Sequence, residues 1–175
     1  MEDRSNLQRY SMLMGTYLGI YWVLKFCFFP LGMERPFLMM LFWGLTIAGP
    51  FMALYLARIY RDQVLGGVIG FTHAFTFCLF EYLYAALLAA VAHYVYYAFI
   101  DGGYILSTYS DLVDQMAQQS QEFSDAYKDQ FHQILDLFSA MKPIDMTVEQ
   151  LSMNLFWGFF LSVFSALALK RKPQQ

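Results

Sequence analysis

The chain alternates long apolar stretches with short polar connections, and one long polar segment interrupts this pattern before the last apolar stretch. A transmembrane helix needs about 20 mostly apolar residues to cross roughly 30 Å of hydrocarbon. Three stretches have that length, namely Tyr10 to Phe29, Pro36 to Ala57 and Val148 to Leu169. A further apolar stretch lies within Gly66 to Ile100, so the pattern predicts four membrane spans.

The third stretch, Gly66 to Ile100, is too long for a single span. As one continuous helix it would measure about 52 Å, which exceeds the hydrocarbon core even when the helix tilts. Either Gly66 to Phe77 lies along the membrane surface before the helix enters the bilayer, or Ala89 to Ile100 projects beyond it. The tyrosines within positions 94–97 are typical of an interfacial aromatic belt, which favours the first arrangement.

The polar segment, Asp101 to Asp145, contains eight carboxylates against Lys128 and Lys142. Its apolar residues recur at spacings of three, four and seven, as on one face of an amphipathic helix. We call this face the apolar stripe. It consists of Leu112, Met116, Phe123, Tyr127, Phe131, Ile134, Phe138 and Met141.

Ser107 or Ser110 is expected to begin this helix, because a hydroxyl accepts hydrogen bonds from the free N–H groups of a first turn. Lys142 is expected to end it, because the residue before a proline avoids the helical conformation. A break within Gln118 to Ser120 would divide it into a hairpin of two helices.

The apolar stripe is expected to pack against another surface. The alternatives are the chain's own helix bundle, the membrane surface, a partner protein and a second copy of the chain. Membrane-surface binding is disfavoured, because the acidic polar face repels anionic lipid. The side chains expected to face a partner are Met116, Phe123, Tyr127, Phe131 and Phe138.

The short connections decide the orientation, because Lys and Arg accumulate on the cytoplasmic side of a membrane. The basic residues beside the spans are Arg4, Arg9, Arg58, Arg61, Lys170, Arg171 and Lys172. With four spans these seven residues fall on one side, whereas the opposite side has Arg35, Lys128 and Lys142 among many carboxylates, so both termini are expected to be cytoplasmic. The predicted organisation is therefore spans one to three in residues 1–100, an extracytoplasmic helical insert in 101–146, and span four with a basic tail in 147–175.

Composition agrees with a membrane protein, because 58% of the residues are hydrophobic and only 14% are charged. Soluble domains carry about 25% charged residues. The net charge of −3 argues against a nucleic-acid partner, whose phosphates favour a basic face. Cys27 and Cys78 lie inside apolar stretches and are expected to pack there rather than to form a disulfide. The predicted fold class is an all-α integral membrane four-helix bundle with an extracytoplasmic amphipathic helix or helical hairpin between spans three and four.

Four ionisable side chains fall at membrane depth and form the candidate intramembrane polar site: Glu81, His73, Lys25 and His93. A charge in hydrocarbon costs about 2.5–3.5 kcal/mol on insertion scales, so such groups usually face the bundle interior or a wet cavity. Glu81 is the strongest candidate, since it lies far from either interface. Lys25 falls at a similar depth if span three begins near Gly66, which suggests a Lys25–Glu81 ion pair, although its long stem also reaches headgroups.

His73 and Glu81 are eight residues apart and therefore lie near one helix face. They suggest a proton or cation path. The alternative is an interfacial histidine and a hydrogen-bonded glutamic acid that burial keeps neutral. His93 is expected at the outer interface, and His132 is expected to face solvent. No spacing matches a zinc site, so we expect no metal and no cofactor.

Small residues mark expected close contacts between helices. The pattern of two small residues four positions apart occurs at Gly15 and Gly19, at Ala85 and Ala89, and one residue later at 86 and 90. The sequence Leu-Phe-Trp-Gly occurs at 41–44 and again at 155–158, as a parallel repeat of two spans would produce. Tryptophan is also common near any membrane interface.

Two short motifs resemble a family of four-span inner-membrane proteins of unknown function that is abundant in Bacteroidota. They are Gly70-Phe71-Thr72-His73-Ala74-Phe75 and Tyr96-Tyr97-Ala98-Phe99-Ile100-Asp101, and this chain has Gly102 where the family tends to have proline. The resemblance implies a span that starts near Ala74 and implies no activity. The resemblance also implies that such proteins are often encoded beside glycosyltransferases of the polyprenyl-phosphate type, and it therefore implies a partner of that type.

Two classes of function fit these observations. The first is a non-enzymatic accessory or scaffold protein in envelope glycan or lipid handling, with a membrane glycosyltransferase, another membrane protein or a second copy as its partner. The second is a small proton- or cation-coupled transporter that uses Glu81 and His73. No nucleophile and base occur in a recognisable catalytic arrangement, so we do not expect an enzyme.

Overall fold

The computed structural model describes residues 2–119 and 125–171, which form six α-helices and contain no strand. The helices are α1 (Glu2–Gly32), α2 (Pro36–Ile59), α3 (Phe71–Phe99), α4 (Tyr104–Gln119), α5 (Asp125–Ser139) and α6 (Pro143–Leu169). A π-helical turn, Tyr60–Val64, continues α2. The helices α1, α2, α3 and α6 are long and apolar enough to cross a membrane, which confirms the prediction of four spans in an all-helical chain.

The first two spans join at a tight turn. The helix α1 continues through Pro30 to Gly32, three residues beyond the predicted end of the span. Arg35 is extended, and Pro36 occupies the first turn of α2, where its missing N–H costs little. A Cβ built on Gly32 would lie 2.8 Å from the backbone nitrogen of Met39, so a glycine is needed for this close approach.

The chain divides into two compact units, of which the first contains residues 1–92 and 150–175 and the second contains residues 93–149. The helix α3 begins at Phe71, three residues before Ala74, and the preceding residues 66–70 are not α-helical. Residues 71–92, the part of α3 in the first unit, measure about 33 Å, close to the hydrocarbon thickness. The arrangement of the third stretch at the membrane surface stays a prediction.

In the first unit, α1 packs closely against α3 at the two predicted glycines. A Cβ built on Gly15 would lie 2.7 Å from the carbonyl oxygen of Glu81 and 2.7 Å from Cβ of Tyr84. A Cβ on Gly19 would lie 3.2 Å from Cα of Ala85. The predicted close contact at Gly15 and Gly19 is therefore confirmed, and it works by bringing two backbones together where a larger side chain would not fit.

The helix α6 packs on the same helix, α3, through its own glycine. A Cβ built on Gly158 would lie 2.9 Å from Cβ of Tyr82, and the rings of Phe75 and Phe159 meet edge to face at 5.9 Å. Gly44, the matching glycine of the other Leu-Phe-Trp-Gly sequence, has no atom within 4 Å of its built Cβ. The two copies of this sequence therefore have different surroundings at their glycines.

In the second unit, an aspartate rather than a serine caps the N-terminus of α4. The carboxylate of Asp101 accepts hydrogen bonds from the backbone N–H groups of Gly103 (3.1 Å) and Ile105 (3.2 Å). The prediction that Ser107 or Ser110 begins this helix is wrong, because both lie inside α4.

Two glycines form the turn between Asp101 and α4, with φ of +53° at Gly102 and +87° at Gly103. Proline has its φ fixed near −65° and cannot adopt the conformation of Gly102. Gly102 therefore shapes the turn that lets Asp101 cap the helix.

In the described residues α4 ends at Gln119 and α5 begins at Asp125, whereas Ser120, the last residue of the predicted break, lies outside them. The two helices contact each other, and His132 Nε2 lies 3.3 Å from Asp114 Oδ1.

The helix α5 ends at Ser139, before the predicted Lys142. The next helix, α6, starts at Pro143 rather than near Val148, and Asp145 accepts a hydrogen bond from the N–H of Lys142 (3.1 Å), as in half of a capping box.

Candidate functional site

Glu81 lies in the interior of the first unit, and its side chain is fully buried. The helix α3 places it on the same face as Cys78, Tyr82 and Ala85, which belong to the hydrophobic core. On the facing helix α1, Gly15 allows close contact with the backbone of Glu81. The carboxyl group is therefore enclosed by packed helices rather than exposed to solvent.

Among the described residues, neither carboxylate oxygen of Glu81 has a hydrogen-bond partner. A buried polar group that makes no hydrogen bond typically costs about 1–3 kcal/mol of stability. Such a group is unusual enough to need an explanation, which is either a functional role or a ligand. Glu81 therefore remains the principal candidate, and it can accept hydrogen bonds or exchange a proton.

Lys25 does not pair with Glu81. Its Nζ lies 5.8 Å from the ring centroid of Trp22 and 5.6 Å from that of Phe42 on α2. A helical side chain leans toward the N-terminus of its helix, which brings Lys25 over the residue one turn earlier, on the face that α2 covers. The predicted Lys25–Glu81 ion pair is wrong, since the two residues use different faces of the bundle.

His73 makes its hydrogen bond with the end of α2. Its Nε2 lies 2.9 Å from the hydroxyl oxygen of Tyr60, whose ring stacks on Phe77 at a centroid distance of 4.0 Å. Because Glu81 has no hydrogen-bond partner among the described residues, the predicted path has no direct link between His73 and Glu81.

His93 lies in the second unit and is buried, with its ring 6.3 Å from the ring of Tyr97. The imidazole of His93 therefore packs inside the protein, and its predicted position at the outer interface stays a prediction. In the part of the chain that the structure describes, no three His, Cys, Asp or Glu side chains are placed to hold a metal ion.

A cluster of polar groups at the end of α6 was not predicted from the sequence, in which Arg61 was interpreted only as a charge that sets the orientation. Arg61 is buried, and its Nε and Nη2 donate to the two carboxylate oxygens of Asp62 at 2.7 and 2.9 Å. Its Nη1 donates to the carbonyl oxygen of Leu169 at 3.3 Å. Nearby, Ile69 and Arg171 exchange two backbone hydrogen bonds.

This cluster is built on the π-helical turn Tyr60–Val64, a conformation that is frequent at functional sites. It satisfies one of the last carbonyl groups of α6, which have no partner within the helix. The only sequence signal was the adjacent pair Arg61-Asp62, and nothing local indicates that Leu169 is the third member.

The apolar stripe is partly exposed in the second unit. Phe131 and Phe138 are each 43% exposed, Met116 is 47% exposed, and Leu137, outside the predicted stripe, is 71% exposed. Phe123 lies outside the described residues, and only the helical backbone of Tyr127 is described. The described part of the stripe is therefore available for a contact.

One family matches the chain, with the description Protein of unknown function (DUF4199), over residues 13–171. The match includes most of α1 and all of the other helices. No curated protein and no solved structure matches the chain. The description agrees with the predicted resemblance to a family without an assigned activity.

Proposed function

The chain belongs to the DUF4199 family of proteins of unknown function, and we propose that it is a non-enzymatic accessory or scaffold protein of the bacterial inner membrane. It assists a membrane partner in envelope glycan or lipid handling. The family is expected to be abundant in Bacteroidota. The observation that carries this proposal is the exposed apolar stripe on α4 and α5, which a second protein would cover.

The proposed orientation places both termini in the cytoplasm and α4 and α5 on the outer side. It is supported by the basic residues near the ends of the four spans, of which seven fall on one side and only Arg35 and Lys142 on the other, and by the carboxylates of the insert. Alkaline phosphatase, which is active only outside the cytoplasm, can be fused after Gln119 or after Gln175. We expect activity from the first fusion alone, and an active C-terminal fusion would refute the orientation.

The non-enzymatic role is supported by the separate surroundings of the ionisable residues. Lys25 lies against aromatic rings, His73 is bonded to Tyr60, and Glu81 has no bonding partner among the described residues. A nucleophile and its base must lie within hydrogen-bond distance, and these three residues make no such bond to one another.

The proposed partner is a membrane protein that presents an apolar surface with a basic rim. The stripe lies among carboxylates of α4 and α5, of which Asp111 and Asp136 are exposed. Complementary charge around an apolar contact favours the correct partner. A membrane glycosyltransferase is the first candidate, and a second copy of the chain is the alternative.

Purification in mild detergent tests this partnership. We expect one membrane protein to co-purify in stoichiometric amount, and its recovery to fall at least about 10-fold in the Phe131→Ser/Phe138→Ser variant, since buried aromatic anchors dominate interfaces. The matched control is Gln130→Ser/Gln133→Ser, which changes exposed polar residues of the same helix. Equal recovery by both variants would refute the stripe as the interface, and a complex containing only this chain would replace the partner with a second copy.

A second candidate function is a small proton- or cation-coupled carrier, and the observation that favours it is the unpartnered carboxyl of Glu81. Intramembrane carboxyls commonly serve in proton relays. Proton entry into liposomes that contain the protein would be followed with a pH-sensitive dye. A carrier predicts entry that Glu81→Gln abolishes, whereas entry that matches protein-free liposomes would exclude proton coupling.

A further inference from the structure

Lys25 is a cation at membrane depth that the protein surrounds with aromatic rings instead of a carboxylate. Its Nζ lies near the rings of Trp22 and Phe42, and we call these three residues the Lys25 cleft. Among the described residues, Lys25 makes no ion pair with a carboxylate, unlike Arg61, which pairs with Asp62. From this arrangement we propose that the Lys25 cleft binds the phosphate of an anionic lipid headgroup.

The depth of Lys25 suits this ligand. The span in α1, Asn6–Gly32, contains 27 residues and therefore measures about 40 Å, roughly 10 Å more than the hydrocarbon core. Lys25 precedes Gly32 by seven residues (32 − 25), which places it about 10 Å from that end of the helix. When the excess length is shared equally between the two ends, Lys25 lies about 5 Å inside the boundary of the hydrocarbon core, a distance that its long stem can span.

The side chain of Lys25 lies against the face of α1 that α2 covers. Its ammonium group lies near Trp22, three residues earlier on α1, and near Phe42, whose ring is 5.3 Å from that of Phe29, four residues later on α1. An ammonium group has three N–H donors. Aromatic faces attract its charge but offer no strong acceptor, whereas phosphate oxygens accept charge-assisted hydrogen bonds.

The surroundings favour a lipid over a soluble phosphate. Leu24, which precedes Lys25, is 60% exposed, and Trp43, which follows Phe42, is 58% exposed. These exposed apolar side chains lie in membrane-type helices and therefore suit acyl chains. Basic sites between transmembrane helices are known to bind anionic headgroups.

Native mass spectrometry of the purified protein tests the proposal. After incubation with equal amounts of phosphatidylglycerol and phosphatidylcholine, we expect the wild type to retain phosphatidylglycerol about 10-fold more than phosphatidylcholine. Lys25→Met is expected to lose this preference and Lys25→Arg to keep it, because guanidinium also binds phosphate. The matched control, Lys142→Met, changes an exposed lysine outside the spans and should behave as the wild type.

A second measurement does not depend on the stability of Lys25→Met. The chain has three tryptophans, so Trp43→Phe/Trp157→Phe leaves Trp22 as the only one. Its emission is expected to change when phosphatidylglycerol is titrated into phosphatidylcholine nanodiscs, and inorganic phosphate is expected to leave it unchanged. An unchanged preference in Lys25→Met, or an equal response to inorganic phosphate, would overturn the lipid assignment.

Discussion

Replacing Gly15 with alanine is expected to force α1 and α3 apart. The added methyl carbon would lie 2.7 Å from both the carbonyl oxygen of Glu81 and Cβ of Tyr84. Non-bonded carbon atoms pack at about 3.5–4.0 Å, so the helices must separate by roughly 1 Å at this point. The two atoms belong to the backbone and to the first carbon of a side chain, so a change of rotamer cannot relieve the contact.

We expect the steric clash in Gly15→Ala to cost about 1–3 kcal/mol of unfolding free energy, the usual cost of an overpacked core. Part of this loss is masked, because alanine favours a helix over glycine by up to about 1 kcal/mol. Gly44→Ala provides the matched control. Gly44 is also helical, and its built Cβ has no atom within 4 Å, so this variant shows the propensity effect alone.

Reversible unfolding by sodium dodecyl sulfate in mixed micelles, followed by circular dichroism, measures both variants. The difference between Gly15→Ala and Gly44→Ala isolates the steric cost and is expected to be about 1–3 kcal/mol. Gly158→Ala is also expected to have a lower free energy of unfolding than Gly44→Ala, since its methyl group would lie 2.9 Å from Cβ of Tyr82. If Gly15→Ala and Gly44→Ala unfold with the same free energy, the inferred contact between α1 and α3 is refuted.

Three further substitutions test single interactions. Glu81→Leu is expected to raise the free energy of unfolding by about 1–3 kcal/mol, since it removes a buried polar group without a partner; a loss in the same assay would indicate that the carboxyl has one. Asp101→Ala is expected to cost about 0.5–2 kcal/mol and to speed amide hydrogen exchange in the first turn of α4, whereas Asp101→Asn should retain the cap. Tyr60→Phe keeps the ring that stacks on Phe77 but loses the bond to His73, for an expected cost of about 0.5–1.5 kcal/mol; a cost of zero in the unfolding assay would refute that bond.

The four spans were predictable because each depends only on the length of a local apolar stretch. The side chains of such a stretch must be buried or exposed to lipid in any correct fold. The start of α4 was not predictable in this way. Its cap, Asp101, depends on positive φ at Gly102 and Gly103, and a serine inside the helix gives the same sequence signal as a serine at its start. The local pattern therefore predicted that this segment is helical, as α4 and α5 are, but it failed at the first turn of α4.

In the contact between α1 and α3, the sequence predicted only one of the two contacting surfaces. Gly15 and Gly19 indicated which face of α1 makes a close contact, because small residues four apart share a face. They gave no information about the opposing residues, which are the backbone of Glu81 and its neighbours on α3. The stripe on α4 and α5 is a similar case, since its spacing predicted an apolar face but not what covers it.

Lys25 and Glu81 show why similar depth in a membrane does not make an ion pair. Depth follows from counting residues along a helix, whereas pairing also requires that both helices turn the charged faces toward each other. In this bundle α1 turns Lys25 toward Phe42 on α2, while α3 turns Glu81 into the core. Each group must then be compensated separately, because an isolated charge in an apolar medium is strongly unfavourable. For Lys25 the rings and a lipid phosphate supply that compensation, and for Glu81 a proton or a hydrogen-bond donor must supply it. The two sites are therefore independent in chemistry, and a loss of lipid binding in Lys25→Met carries no implication for proton coupling at Glu81.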